Sequence, residues 1–214
     1  MHARSPGPRW RRRKDDRPQE IVAAALESFA ERGFAATRLD DIAKRAGVTR
    51  GTLYLYFPSK EELFKAVVRQ SLVPILSRAE QMLAGAKGST AELLTRLILG
   101  FPAAVAGGEV SAIPKLVIAE ARNFPDLAKF YVDEVVRRGR ALIASIVKRG
   151  IARGEFRKVD LDHVAYCVMA PVLLSVLWRH SLAPFDPGGL DPQALCALHV
   201  DLLLRGLTAR EGAA

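Results

Sequence analysis

Between residues 18 and 68, apolar side chains return every three or four positions in short bursts, and each burst ends at a turn-forming glycine or proline or at a capping residue. Val22, Ala25, Leu26, Phe29 and Ala30 mark one face of a helix that opens near Pro18, beside Asp15 and Asp16, and that Gly33 ends. Leu39, Ile42, Ala43 and Ala46 form the stripe of a second, short helix stopped by Gly47. Thr37 stands at its cap, with Asp40 three residues on in the acidic place of a capping box. Thr49 caps a third helix, and Val48 ahead of it is set to staple against Leu53. Leu53 and Phe57 face inward there, which leaves Arg50, Gly51, Thr52, Tyr54 and Tyr56 toward solvent or a partner. Pro58 closes that turn, and Ser59 with Glu62 makes another capping box ahead of Leu63, Phe64, Val67 and Val68, predicting a fourth, longer helix.

Further apolar periods run over about 90–106, 110–121, 126–153, 161–182 and 192–208, separated by Gly, Pro and Asp. Hairpin turn pairs and internal repeats are missing, so the pattern predicts an all-α chain. The longest nearly unbroken apolar stretch, Val164 to Trp178, has 15 residues and contains Pro171. A membrane helix needs roughly 20. The stretch therefore reads as a buried core helix, and no membrane partner is expected.

Charge changes the picture at the front of the chain. The formal net charge is +9, yet residues 1–70 hold 15 Lys/Arg against 9 Asp/Glu while the remainder hold 17 against 14. A positive excess concentrated in one segment points to a polyanion, because neutralising phosphates releases counterions whatever the sequence bound. Residues 1–16, with Pro6, Gly7, Pro8 and the run Arg11-Arg12-Arg13-Lys14, read as a disordered basic arm ahead of two folded parts, 17–65 and 66–214. Two readings of the arm stay open: a solvated tail, or an extension that follows the DNA backbone or enters a minor groove. Cys167 and Cys196 are too few for a disulfide framework, and the opening residues lack a secretory-signal pattern, so a reducing cytoplasm is expected.

The second and third predicted helices, 39–46 and 50–57, joined by Ala46-Gly47-Val48-Thr49, have the dimensions of a helix-turn-helix whose second helix enters the major groove. Gly33-Phe34 through Thr37, then Asp41-Ile42-Ala43, Ala46-Gly47-Val48, and the run Thr52-Leu53-Tyr54-Leu55-Tyr56-Phe57-Pro58-Ser59-Lys60-Glu61-Glu62-Leu63 resemble the signature of the TetR family of regulators over residues 18–65. The resemblance implies a three-helix DNA-binding domain followed by a helical domain that binds a small molecule and forms a homodimer through its last two long helices, about 161–182 and 192–208. It also implies repression of a palindromic operator, released when the ligand binds. Position by position, it makes Arg50, Thr52 and Tyr54 base-reading side chains and Thr49, Tyr56 and Lys60 phosphate contacts, although Tyr54 and Tyr56 also suit packing in a small core. That agrees with the aptitude of arginine for guanine and of hydroxyls and lysine for phosphate. Gly51 would let backbone approach the groove, or is simply a glycine tolerated near a helix N-terminus. Arg38 replaces a hydroxyl residue common in the family, which either leaves cap and phosphate duties to Thr37 or makes Arg38 itself a contact.

The second domain is less explicit. Phe101, Phe124, Tyr131, Tyr166, Met169 and Trp178 are candidates to line a pocket, with Glu120 or Arg122 to orient a polar group; each is also suited to plain core or surface duty. His163 and Cys167, four apart, and Cys196 and His199, three apart, would offer metal ligands if their helices met, although both cysteines lie in apolar runs where a free thiol behaves as a small hydrophobe. No metal or other cofactor is expected. A nucleophile elbow, a zinc-protease helix and clustered carboxylates are all missing, and Gly85-Ala86-Lys87-Gly88-Ser89-Thr90 has its lysine misplaced for a phosphate loop, so the chain is not expected to be an enzyme. The rival without sequence reading is a nucleic-acid or membrane-surface module driven by the basic arm, which would bind by charge alone.

Overall fold

The structure is a computed structural model that describes residues 9–106 and 108–209, with side chains over 16–101 and 108–209. It divides into two compact units, one ending at Gln70 and the other beginning at Ser71.

In the first unit helix α1 spans Arg9–Ala36, α2 Leu39–Arg45, α3 Arg50–Tyr56 and α4 Lys60–Ser71. The arm expected to lack structure through Asp16 is thus helical from Arg9 onward. Arginine and lysine are strong helix formers, and Pro18 forfeits one backbone hydrogen bond without ending the helix. The side chains of Arg11, Arg12, Arg13 and Lys14 lie outside the described residues. Gly33 breaks the helical path at φ 79°, ψ 167°, a conformation that suits glycine and swings Phe34 back toward the core. Phe29, Phe34 and Phe64 then meet as a triad, each pair of ring centroids 5.4 Å apart. With Ile21, Ile42, Leu53 and Leu63, all fully buried, the triad is the core on which the short helices rest.

The second unit contains α5 (Val73–Ala84), α6 (Thr90–Ala106), a 3₁₀ turn (Glu109–Ala112), α7 (Ile113–Glu120), α8 (Pro125–Tyr131), α9 (Arg137–Ala152), α10 (Leu161–Ser181) and α11 (Pro192–Leu207). Among the described residues there are no strands; the sole extended pairing is an isolated bridge between Phe156 and Thr208. The fourth helix, 12 residues against 7 each for α2 and α3, is the longer one expected, and Pro74, lacking an N–H, opens α5 after it. The predicted helix over 126–153 is continuous but is wound as a π-turn over Val132–Val136 between α8 and α9.

Leu94, Ile98, Ile143, Val147, Val168, Val172, Cys196 and Val200 bring α6, α9, α10 and α11 onto one core. Gly150 is where the α9–α10 turn folds in: a Cβ there would stand 2.3 Å from the Phe156 ring, so only glycine admits that ring. Glu155 accepts from the N–H of Thr90 at 2.6 Å and caps α6, while the Arg157 N–H donates to the Leu207 carbonyl at 2.8 Å. Helix α10 differs from the expected buried core helix. Val164, Val168, Val172 and Val176 are buried, but Tyr166, Leu173 and Leu174 on its other side are exposed. It has 21 residues, the only helix among those described that is long and apolar enough to cross a membrane by length and composition, yet its inner face packs against α6, α7, α9 and α11.

Candidate nucleic-acid interface

Helix α3 is built to show one face outward. Thr49 caps it, with Oγ1 accepting from the Thr52 N–H at 3.1 Å and lying 2.9 Å from the Thr52 hydroxyl. Leu53 is fully buried and Phe57, closing the helix, is 8 % exposed, so the residues between them point away from the core. Arg50, Gly51, Tyr54 and Leu55 therefore share the outer face, with Thr52 and Tyr56 half-buried at its sides. A Cβ on Gly51 would meet nothing nearer than Thr49 Oγ1 at 3.9 Å. The fold itself does not require glycine there, so the helix surface at this point is open and free of a side chain.

Arg50 is the best-placed cation on that face. Its guanidinium is held by Asp40, with Nε 3.2 Å from Oδ1, and its Nη2 lies 3.5 Å from the Tyr54 hydroxyl. Contact with that hydroxyl, and then the Asp40 charge, push the Arg50 pKa further above its ordinary value, so the cation persists at all relevant pH. Arg38 is exposed and occupies the N-cap of α2 without a side-chain capping bond.

Two expected contacts have other duties. Thr37 is 2 % exposed, and its hydroxyl serves the Ser28 and Gly33 carbonyls at 3.1 and 2.6 Å. The helix it was expected to cap starts one residue later than that capping box needs, so the threonine ties off the end of α1 instead, and the acidic partner Asp40 turns to Arg50. Lys60 is likewise turned inward: Nζ donates to the carbonyls of Phe34, Ala35 and Thr37 at 2.8, 3.0 and 3.1 Å and sits 4.7 Å from the Phe34 ring centroid. The three donors of the ammonium thus reach three main-chain carbonyls at the end of α1, a duty that competes with the phosphate contact expected of Lys60.

Leu55 is a further candidate that the apolar period did not single out. It is 84 % exposed, four residues after Gly51 on the same outward face. A large apolar side chain held in water on this helix suits contact with a thymine methyl group.

The candidates in the second unit scatter. Phe101 and Met169 pack on the same core, and Glu120 accepts from Asn123 at 3.0 Å beside Phe124. Burial raises the Tyr131 phenol pKa, and the indole N–H of Trp178 is buried without a hydrogen-bond acceptor. Tyr166 is not an interior residue: it is 54 % exposed, with the Arg140 guanidinium 4.5 Å from its ring. Its helical position turns it away from the buried valines, which explains the difference. The paired cysteines and histidines remain apart, with His163 held by Asp160 at 3.0 Å, Cys196 buried and His199 at 3.2 Å from the Val168 carbonyl. Among the described residues there is no group of three or more His, Cys, Asp or Glu placed to hold a metal.

Comparison with known proteins agrees with this geometry. Residues 21–67 match the family model for bacterial regulatory proteins of the tetR family, and residues 84–191 match a tetracyclin repressor-like C-terminal domain. The chain is 31 % identical over 199 residues to the HTH-type transcriptional repressor KstR2 of Mycolicibacterium smegmatis, covering 92 % of this chain and 93 % of that one. The fatty acid metabolism regulator protein of Bacillus subtilis is 29 % identical over 147 residues, 68 % of this chain and 74 % of the relative. Among solved structures, the ketosteroid regulator KstR2 of Mycobacterium tuberculosis superimposes with a TM-score of 0.68 at 27 % identity, covering 91 % and 96 % of the two chains. FadR of Bacillus subtilis in complex with stearoyl-CoA gives 0.75 at 24 % identity, covering 88 % and 98 %.

Proposed function

Because this chain belongs to the TetR family of bacterial transcriptional regulators, a family of DNA-binding proteins rather than enzymes, we propose that it is a homodimeric repressor released from a palindromic operator by a small acyl-bearing molecule. The observation that carries the reading is the outward face of α3, where a capped helix presents Arg50, a side-chain-free Gly51, Tyr54 and an exposed Leu55 above a buried Leu53. Arg50 takes a guanine edge through two donors, Tyr54 and Thr52 flank it, and Thr49 and Tyr56 position the helix on phosphates. Arg38 at the start of α2 adds a further contact, and the basic run at Arg11–Lys14 extends it along the duplex. The cell compartment is the cytoplasm, where the DNA is.

Dimerisation uses the outer side of the last two long helices. Leu173 and Leu174 on α10 and Leu198 and Leu202 on α11 are between 37 % and 60 % exposed, and such an apolar patch is expected to be covered in water. A two-fold axis there would set two copies of α3 against two half-sites. For the effector, the relatives' own ligands and names support a class. One neighbour was captured with stearoyl-CoA, and others are named for fatty-acid and ketosteroid regulation. The effector is an acyl thioester of coenzyme A, and the apolar interior of the second unit, around Phe101 and Met169, takes its acyl part. It releases DNA by favouring the binding-incompetent arrangement.

The test is footprinting of the DNA flanking the gene for this chain, with and without long-chain acyl-CoA. Protection of an inverted repeat that the thioester lifts, while free coenzyme A and the free acid do not, is the expected result. Protection that no acyl-CoA relieves overturns the effector class, and charge-proportional binding without a protected repeat overturns the regulator reading.

A further inference from the structure

Arg50 does not project freely from α3. Asp40, in the first turn of α2, reaches it across the helix-turn-helix, accepting from Nη1 at 3.3 Å while its other oxygen stands 3.2 Å from Nε. On the opposite side Nη2 lies 3.5 Å from the Tyr54 hydroxyl, and the guanidinium carbon is 5.4 Å from the Tyr54 ring centroid. The side chains of the pair are 65 % and 45 % exposed, so it adds little to stability and is open to a duplex. Asp40 is also not interchangeable with its neighbour, because Asp41 is paired with Arg32 at 2.8 Å.

An exposed arginine near DNA is drawn first to phosphate, the strongest charge available, and such a contact carries no sequence information. A carboxylate fixed beside the guanidinium alters that choice. Any phosphate approaching Arg50 also approaches Asp40 and is repelled, whereas the guanine edge is neutral and offers two acceptors, O6 and N7. Holding the guanidinium between Asp40 and Tyr54 also removes rotamer freedom that would otherwise be lost on binding.

We infer that Asp40 is a specificity-determining positioning residue that aims Arg50 at a base edge and discourages it from pairing with phosphate. The inference rests on Arg50 reading a base, and the experiment separates the two. A randomised duplex pool is selected with the full-length protein and with Arg50→Ala, Asp40→Asn, Asp40→Glu and Asp41→Asn, and the thermal unfolding of each is recorded. Asp41→Asn makes the same charge change on the same helix without touching Arg50.

Arg50→Ala is expected to erase preference at one base pair of each half-site. Asp40→Asn should weaken preference at that same pair roughly three- to ten-fold, the scale of coupling between groups in contact, and raise affinity for unselected duplex. Asp40→Glu, which keeps the charge, should hold unselected affinity near the parent value, and Asp41→Asn should leave the motif unchanged. On the Arg50→Ala background, Asp40→Asn should not alter the motif further. An unchanged motif in Arg50→Ala removes the base-reading assignment and this inference together. A motif relaxed by Arg50→Ala but kept by Asp40→Asn, or equal effects of Asp40→Asn and Asp41→Asn, overturns the role of Asp40 and leaves the reading of Arg50 standing.

Discussion

Lys60 shows how far the duty of one residue depends on which backbone groups the fold brings to it. Where Gly33 turns the chain out of α1, a single ammonium donates to the carbonyls of Phe34, Ala35 and Thr37 while lying over Phe34. Replacing Lys60 by Met keeps the apolar stem but removes three charge-assisted hydrogen bonds, two of them partly buried. That should cost about 2 kcal/mol of stability in the first unit, by analogy with other hydrogen bonds to charged groups. Chemical denaturation should therefore show a lowered midpoint. DNA affinity should fall alike on specific and unspecific duplexes only as far as the fold is lost, and the salt slope should stay unchanged at temperatures where the unit is folded. A slope reduced by about one with unaltered stability would restore the phosphate contact.

At the scale of elements, the turn from α9 to α10 holds several helix ends at once. Glu155 caps α6, Phe156 fills the space over Gly150, and Arg157 bonds the Leu207 carbonyl at the end of α11. Gly150→Ala would place a methyl carbon 2.3 Å from the Phe156 ring, so the ring has to leave its buried site. Overpacking costs about 1–3 kcal/mol and occasionally more, and with a whole ring displaced it exceeds the roughly 1 kcal/mol that alanine brings to a helix interior. Calorimetry should find the second unit destabilised in Gly150→Ala and most of the loss recovered in Gly150→Ala with Phe156→Leu. An unaltered melting profile would mean that the ring moves aside freely and that the turn does not hold the helix ends.

At the scale of the whole molecule, the proposed dimer contact lies on the outer face of α10 and α11. Leu174 and Leu198 are 48 % and 57 % exposed, as are in part Leu173 and Leu202 on the same two helices. A charge placed on that face is costly only if the face is covered, because the desolvation penalty vanishes in water. Leu174→Glu with Leu198→Glu should thus shift sedimentation from a dimer to a monomer at micromolar concentration. Cooperative protection of two half-sites should disappear, while helical circular dichroism stays near the parent value. A double variant that still sediments as a dimer would place the two-fold contact elsewhere on the second unit.

The helices themselves were legible in the residue pattern because their signals are local. The bounds of α6, α10 and α11 fall within a residue or two of the apolar periods, and Ser59 and Thr49 cap their helices as their spacing predicts. The helix-turn-helix was legible for the same reason, as were Arg50 and Tyr54 on its outer face. What escaped the pattern depends on partners brought together by folding. The carbonyls that occupy Lys60 lie 23 to 26 residues away from it. The choice of Asp40 rather than Asp41 to hold Arg50 depends on how α2 is rotated on the core, and the one-residue difference in where that helix starts redirected both Thr37 and Asp40. The two faces of α10 look alike in composition, because a period of apolar residues records that a surface avoids water and not which surface covers it. Only packing against α6, α7, α9 and α11 separates the inner valines from the outer leucines.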